Sequence, residues 1–182
     1  MKEMEIRIID INVEEIRRKL LNINAPKVKE ENQINNIYDF SDRRLLTNKG
    51  YARIRTVKDE LTNSTIHYIT TKKLISQEKY KIMEEHESEI KDEFAAKGIF
   101  ESLGLNLVQS IKKYRESYKY KNTLIEIDIN EKKFCPFPYI EIEGSDENEI
   151  KEVVALLGYS LSDTTARSIY EIIESKKSEN KL

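Results

Sequence analysis

Two segments alternate isoleucine and acidic residues without a break, and they constrain the fold more than any other feature of the chain. They are IEIDIN, with Glu126 and Asp128, and YIEIEG, with Glu141 and Glu143. Successive side chains of a β-strand point to opposite faces. Each segment is therefore predicted to be a strand with one apolar face and one carboxylate face. Since an apolar face needs cover, the carboxylate face must lie either in water or in an ionic interior.

The same alternation recurs in the opening stretch MKEMEIRIID and in several later segments. In the opening stretch, Glu3, Glu5 and Arg7 share one face. In the later segments, basic and acidic residues fall on separate strands. The basic set comprises Arg53, Arg55, Lys72, Lys113 and Arg115, and the acidic set comprises Glu85, Glu87 and Glu89. For a single strand, a solvated charged face is the simpler interpretation. The recurrence of charged faces on several strands favours a sheet that curls into a barrel with the charged side chains inside.

Helical patterns separate the groups of strands. Asn12 and Glu15 have capping-box spacing before a helix over 12–22, and further helices are predicted at 92–104, 146–158 and 163–175. In the helix at 92–104, we expect Phe94, Phe100 and Leu103 to form the buried stripe. About eight strands with helices after strand groups indicate an α+β fold with a mainly antiparallel sheet. An eight-stranded closed barrel has room inside for one small ligand.

Length and charge limit the function classes. The 182 residues suit one domain, predicted over 1–175, followed by a charged tail at 176–182. The net charge of −2 gives no overall basic field for nucleic acid or an anionic membrane. The single cysteine, Cys135, excludes an internal disulfide, and no apolar run reaches the length of a membrane span. We therefore expect a cytoplasmic protein that uses its charges locally.

The two charged sets point to one kind of ligand. Guanidinium and ammonium groups bind phosphate oxygens. Clustered carboxylates without histidine or cysteine partners favour hard cations, and Mg²⁺ or Mn²⁺ commonly bridges substrate phosphates. A polyphosphate held between basic side chains and a divalent cation satisfies both sets.

In order along the chain, these segments resemble the blocks of the CYTH superfamily, the triphosphate tunnel metalloenzymes. EMEIR at 3–7 resembles the family's Glu-x-Glu-x-Lys opening, and IYDFSDRRLLTNKGYARIR resembles its turn and Arg-x-Arg strand. ITTK, EEHESE, KKYR, IEID and IEIEG are similar to its later blocks. The family includes class IV adenylyl cyclases, thiamine triphosphatases and inorganic tripolyphosphatases. The resemblance implies an eight-stranded antiparallel tunnel flanked by helices.

The resemblance also implies roles for individual residues. The expected metal ligands are Glu3, Glu5, Asp128, Glu141 and Glu143. The expected triphosphate-binding residues are Arg7, Arg53, Arg55, Lys72, Lys113 and Arg115. The expected catalytic residues are Glu5, Arg7, Arg53 and Arg55. The supporting acidic residues, for a second metal or for charge balance, are Glu85, Glu87, Glu89 and Glu126.

Two departures from the family pattern bear on function. Arg7 stands where the family usually has lysine, and arginine does not lose its proton at working pH, so this position is a poor general base. KKFCPFPY lacks the glycine-rich turn of many relatives before IEIE.

Three functions are therefore open at the level of sequence. The leading one is a Mg²⁺- or Mn²⁺-dependent hydrolase that removes the terminal phosphate from tripolyphosphate, thiamine triphosphate or a nucleoside triphosphate. The alternative enzyme is a class IV adenylyl cyclase that makes cyclic AMP and pyrophosphate from ATP. A third possibility, of another class, is a triphosphate-binding module without turnover. The expected partner is a small triphosphate compound rather than nucleic acid or membrane, and a homodimer is compatible with each function.

Overall fold

The chain folds into a closed barrel of eight antiparallel strands. The computed structural model describes the backbone of residues 2–179 and the side chains of residues 4–178. The strands are β1 (Lys2–Ile9), β2 (Lys27–Asp39), β3 (Tyr51–Asp59), β4 (Ser64–Gln77), β5 (Lys81–Ile90), β6 (Asn106–Tyr120), β7 (Thr123–Asn130) and β8 (Tyr139–Gly144). Around the barrel they follow the order β1-β5-β4-β3-β2-β6-β7-β8 and then close on β1. The prediction of an α+β fold with an eight-stranded tunnel is confirmed.

Helices cover the outer surface of the barrel. They are α1 (Val13–Asn22), α2 (Arg44–Thr47), α3 (Glu93–Ser102), α4 (Glu147–Leu156) and α5 (Ile169–Glu179), with a short 3-10 helix at Leu161–Asp163 before α5. The predicted cap of α1 is present, because the Asn12 side chain accepts a hydrogen bond from the Glu15 backbone N–H. None of the described helices is long and apolar enough to cross a membrane.

The apolar faces of the strands pack outward against these helices. Ile125 and Ile140, both fully buried, share one cluster with Ile16 of α1 and Ile150 of α4. A second cluster joins α3 to β2 and β3, and a third joins α5 to the segment before β8. Because side chains alternate along each strand, burying the isoleucines outside directs the intervening charged residues into the barrel.

Two helix predictions are wrong in detail. In α3, Phe100 is buried, but Phe94 and Leu103 are 77% and 65% exposed, and Ala96 takes their place against the sheet. The last helix begins at Ile169 instead of Asp163 and continues to Glu179, into the stretch predicted as a tail. The later start of this helix results from a tertiary contact. Thr165 forms an antiparallel bridge with Arg7 of β1, which holds the backbone there extended.

Candidate active site

A cavity of about 650 Å³ occupies the barrel interior. Its lining carries eight Lys or Arg residues and six Glu residues, so the wall is strongly ionic with an excess of basic groups. Burying charges is unfavourable unless they are paired or bind a ligand. The interior charges must therefore be paired with one another or with a bound ligand.

Most of the predicted site residues share this cavity. The lining includes Glu5, Arg7, Arg53, Arg55, Lys72, Glu85, Glu87, Lys113, Arg115, Glu126, Glu141 and Glu143. Three predicted residues differ. Asp128 lies behind the lining, completely buried, and Glu89 is exposed and does not line the cavity. The side chain of Glu3 lies outside the described side chains. That these residues line one cavity does not test the metal-binding, phosphate-binding or catalytic role expected of each, so these roles stay predictions.

Arg7 is held by two carboxylates from neighbouring strands. Its Nη2 donates to Glu5 at 2.7 Å and to Glu141 at 2.5 Å, and its Nε donates to Glu141 at 2.8 Å. The cross-strand register explains this geometry, because Arg7 lies directly opposite Glu141 on β8. Lys81 donates to Glu5 at 2.5 Å from the other side. Although burial works to raise it, Arg7 and Lys81 lower the pKa of Glu5 to about 2.

Arg115 forms the second ionic centre, on the opposite side of Glu141. It makes a bidentate pair with Asp128, with both N···O distances at 2.6 Å, and donates to Glu141 at 2.8 Å. Lys113 also binds Asp128, at 2.9 Å. Burial first, and then the neighbouring Arg115, lowers the pKa of Lys113. Asp128 is bound by basic side chains and does not line the cavity, and its position behind the lining makes it a weaker candidate metal ligand than the carboxylates that face the cavity.

A basic surface on β3 and β4 faces these centres. Arg55 donates to both oxygens of Glu87, at 2.9 and 3.0 Å, and Arg53 lies 3.3 Å from the same carboxylate. Lys72 pairs with Glu85 at 2.6 Å. Burial, and then the charge of Arg53, lowers the pKa of Arg55. The carboxylates of β5 thus compensate only part of the positive charge on this wall.

Three carboxylates can hold a divalent cation. One oxygen each from Glu126, Glu141 and Glu143 lies within 4.8 Å of the others. Burial raises the pKa of Glu143 well above its usual value, and the neighbouring Glu126 and Glu141 raise it further. Glu143 forms no ion pair with another described residue. This set of oxygen donors fits Mg²⁺ or Mn²⁺, because a cation offsets the repulsion among the three groups.

Comparison with known proteins identifies the family. A CYTH domain model matches residues 1–169. The chain belongs to the CYTH family. Two solved structures of Pyrococcus horikoshii proteins share this CYTH fold. One is 26% identical, with a TM-score of 0.74, and the match covers 96% of this chain and 99% of that one. The other is 24% identical, with a TM-score of 0.75, over 93% and 98% of the two chains.

A third structure, of a putative adenylyl cyclase from Hippeastrum, is described as revealing a dominant triphosphatase activity. It is 14% identical to this CYTH protein, with a TM-score of 0.68, over 96% of this chain and 95% of that one. At this identity the likeness shows the fold alone. A search of curated proteins finds no significant match.

Sequence reasoning missed several residues of the CYTH cavity. Lys81 and Lys29 add basic groups, and Tyr51, Phe134 and Tyr170 add aromatic ones. Lys81 had a usable signal, since it shares the odd-numbered face of β5 with Glu85 and Glu87 and lies opposite Glu5 in the register. Tyr170 had no such signal in the sequence, because the approach of α5 to the cavity depends on tertiary packing.

Proposed function

We propose that this protein is a Mg²⁺- or Mn²⁺-dependent triphosphatase that removes the terminal phosphate of tripolyphosphate, thiamine triphosphate or a nucleoside triphosphate. One observation carries the proposal: a carboxylate cluster able to hold a cation and a wall of excess basic groups face the same small cavity. A triphosphate coordinated to a divalent ion matches both surfaces at once.

The electrostatics of the basic wall support an anionic ligand. The pKa values of Arg55 and Lys113 are both lowered, by burial first and then by a neighbouring arginine. A lowered pKa in a basic group means that burial and neighbouring positive charge together outweigh the carboxylates around it. Phosphate oxygens would supply that charge. On binding, they would take over positions that Glu85 and Glu87 now hold at Lys72, Arg53 and Arg55.

Within this proposal each group of residues has a role. Glu126, Glu141 and Glu143 would hold the cation, which supplies positive charge against the phosphate oxygens as the bond to the leaving group breaks. Arg53 and Arg55 would bind and orient the phosphates and stabilise the charge that develops in the transition state. Catalysis would then be mainly electrostatic. Arg7 stays protonated, so proton removal from the attacking water would fall to another group or to solvent.

A direct assay tests the proposal. The protein is incubated with tripolyphosphate, thiamine triphosphate and ATP, each with Mg²⁺ or Mn²⁺, and the products are identified by phosphorus NMR. We expect orthophosphate together with the corresponding diphosphate. Formation of pyrophosphate together with cyclic AMP from ATP would show that the protein is an adenylyl cyclase and not a triphosphatase. Binding of a triphosphate without any product would instead make the protein a binding module.

A further inference from the structure

The side chain of Arg7 is almost fully engaged by the protein itself. Besides its bonds to Glu5 and Glu141, its Nη1 donates to the backbone carbonyl of Arg167 at 2.9 Å. A guanidinium has five N–H groups, and these contacts use four of them. The residue is 4% exposed. Little of its hydrogen-bonding capacity is left for a substrate.

The backbone of Arg7 binds the same C-terminal segment. Its N–H donates to the Thr165 carbonyl and its carbonyl accepts from the Thr165 N–H, both at 2.9 Å. The strand register explains why this edge is free to pair. Strand β5 begins at Lys81, which lies opposite Glu5, so β5 does not reach as far along β1 as Arg7. Thr165 continues the sheet at that point.

The segment held by Arg7 then forms part of the cavity wall. Ser168, Ile169 and Tyr170 line the cavity. Further bonds fix the segment from other strands. Gln77 of β4 donates to the Ala166 carbonyl at 3.1 Å, and the Tyr170 hydroxyl donates to Gln109 of β6 at 2.9 Å.

We infer that Arg7 is a positioning residue that ties Glu5 and Glu141 to residues 165–167, and thereby couples the candidate cation site to the wall formed by 168–170. This differs from the substrate-binding and catalytic role that the family resemblance implies. The guanidinium fixes the Glu141 carboxylate with two donors and the Arg167 carbonyl with a third. Lysine, with one ammonium group, cannot span these acceptors in the same way.

The variant Arg7→Lys tests the inference, because it keeps the positive charge next to the carboxylates. A change in cation affinity then reports geometry instead of charge. Two measurements need no substrate: Mn²⁺ titration followed by electron paramagnetic resonance, and hydrogen–deuterium exchange of the peptide covering 164–171. We expect Mn²⁺ affinity to fall at least tenfold and exchange in this peptide to rise at least tenfold. Either quantity staying within twofold of the wild type overturns the inference.

The matched control is Arg53→Lys, in the basic wall, because Arg53 forms no hydrogen bond or ion pair with residues 164–171. It should leave Mn²⁺ affinity and exchange at 164–171 within twofold of the wild type. A third measurement, steady-state kinetics, rests on the proposed function: at saturating Mn²⁺, Arg53→Lys should raise KM, whereas Arg7→Lys should change KM less than threefold. A larger rise of KM in Arg7→Lys would show that Arg7 binds the substrate, and would overturn the inference. Absence of turnover on every triphosphate refutes the proposed function, and the first two measurements still decide the role of Arg7.

A second variant covers the case in which Arg7→Lys does not fold. Gln77→Ala removes the bond to the Ala166 carbonyl and loosens the segment from outside the cavity. If Arg7 couples the segment to the cation site, Gln77→Ala should weaken Mn²⁺ binding at least threefold while it speeds exchange at 164–171. Faster exchange with unchanged Mn²⁺ affinity would show that the two regions are independent, and would overturn the inference.

Discussion

Glu143 of β8 lies directly opposite Glu5 of β1, yet the two carboxylates have opposite electrostatic surroundings. Glu5 is bound by Arg7 and Lys81, and its pKa is lowered to about 2. Glu143 faces other carboxylates, and burial together with these charges raises its pKa well above the usual value. Of this cross-strand pair, Glu143 is thus the carboxylate that forms no ion pair with another described residue, and a cation at the candidate site would compensate its charge.

Glu143→Gln should abolish metal-dependent turnover and leave the fold intact. Glutamine has nearly the same volume as glutamate but carries no charge, so the cation loses one anionic ligand. The melting temperature without metal should not fall, because glutamine is neutral and the repulsion from Glu126 and Glu141 that raises the pKa of Glu143 no longer acts on it. Mn²⁺ should then raise the melting temperature much less than in the wild type. Calorimetry with and without Mn²⁺ measures both effects.

The control for this variant is Glu89→Gln, at a carboxylate that is exposed and does not line the cavity. Its activity and its stabilisation by Mn²⁺ should match those of the wild type. Wild-type turnover by Glu143→Gln at saturating metal would remove Glu143 from the cation site.

Arg53→Ala and Arg55→Ala should each reduce kcat/KM about 30-fold. That factor corresponds to about 2 kcal/mol, the scale of a lost hydrogen bond to a charged group. Arg44→Ala is the matched control, because Arg44 is exposed and pairs with Asp42 on the surface. Steady-state kinetics on the best substrate give the comparison. Unchanged efficiency in both cavity variants would place the β3 surface outside the phosphate site.

Gly50→Ala should destabilise the protein by about 1–3 kcal/mol, the usual cost of overpacking. A Cβ atom at Gly50 would lie 2.6 Å from the backbone carbonyl oxygen of Lys72, so β4 must move at a residue that lines the cavity. KM for the triphosphate should rise as well. Gly98→Ala is the control. It lies within α3 with nothing within 4 Å of its Cβ position and should add about 0.5–1 kcal/mol of stability. Urea denaturation measures both changes.

The barrel could be predicted from the sequence because its signal is local and repeated. Strict alternation in β7 and β8 assigns each side chain to a face, and several such strands with one ionic face each favour a closed barrel. The buried side of α3 could not be predicted in this way. Phe94 and Leu103 are large and apolar, but the small Ala96 next to Phe100 is what packs against the barrel.

Most of the charged residues that line the cavity could be predicted from the sequence, but their pairing could not. Alternation indicates that Asp128 and Glu143 both lie on the carboxylate face of their strands. It does not indicate that Asp128 is bound by Arg115 and Lys113, while Glu143 lies next to other acids. Pairing depends on the register between strands and on the reach of long side chains, and both are set by tertiary structure. For the same reason, the contact between Arg7 and Thr165 leaves no trace in local sequence.

Glu116→Gln should lower the free energy of unfolding by about 3 kcal/mol at pH 7, the scale of breaking a buried ion pair. Glu116 lies on the outer face of β6, 1% exposed, and accepts bonds from Arg17 of α1 and from the hydroxyls of Tyr114 and Tyr118. Burial works to raise its pKa, but the bonds from Arg17 and the tyrosines lower it to about 2. Because the pKa is lower in the folded state, the ionised carboxylate stabilises the fold above its unfolded pKa, near 4.3.

That stabilisation is lost as pH falls through the folded pKa of Glu116. The difference between wild type and Glu116→Gln should therefore be constant from pH 7 to about 5 and shrink steadily below pH 4. Urea denaturation across this range measures it. Glu14→Gln provides the control, since Glu14 also pairs with Arg17 but its side chain is 76% exposed, and its loss should cost less than about 0.5 kcal/mol at any pH. A difference for Glu116→Gln that stays constant down to pH 3 would mean that lost packing, rather than the buried charge, causes the destabilisation.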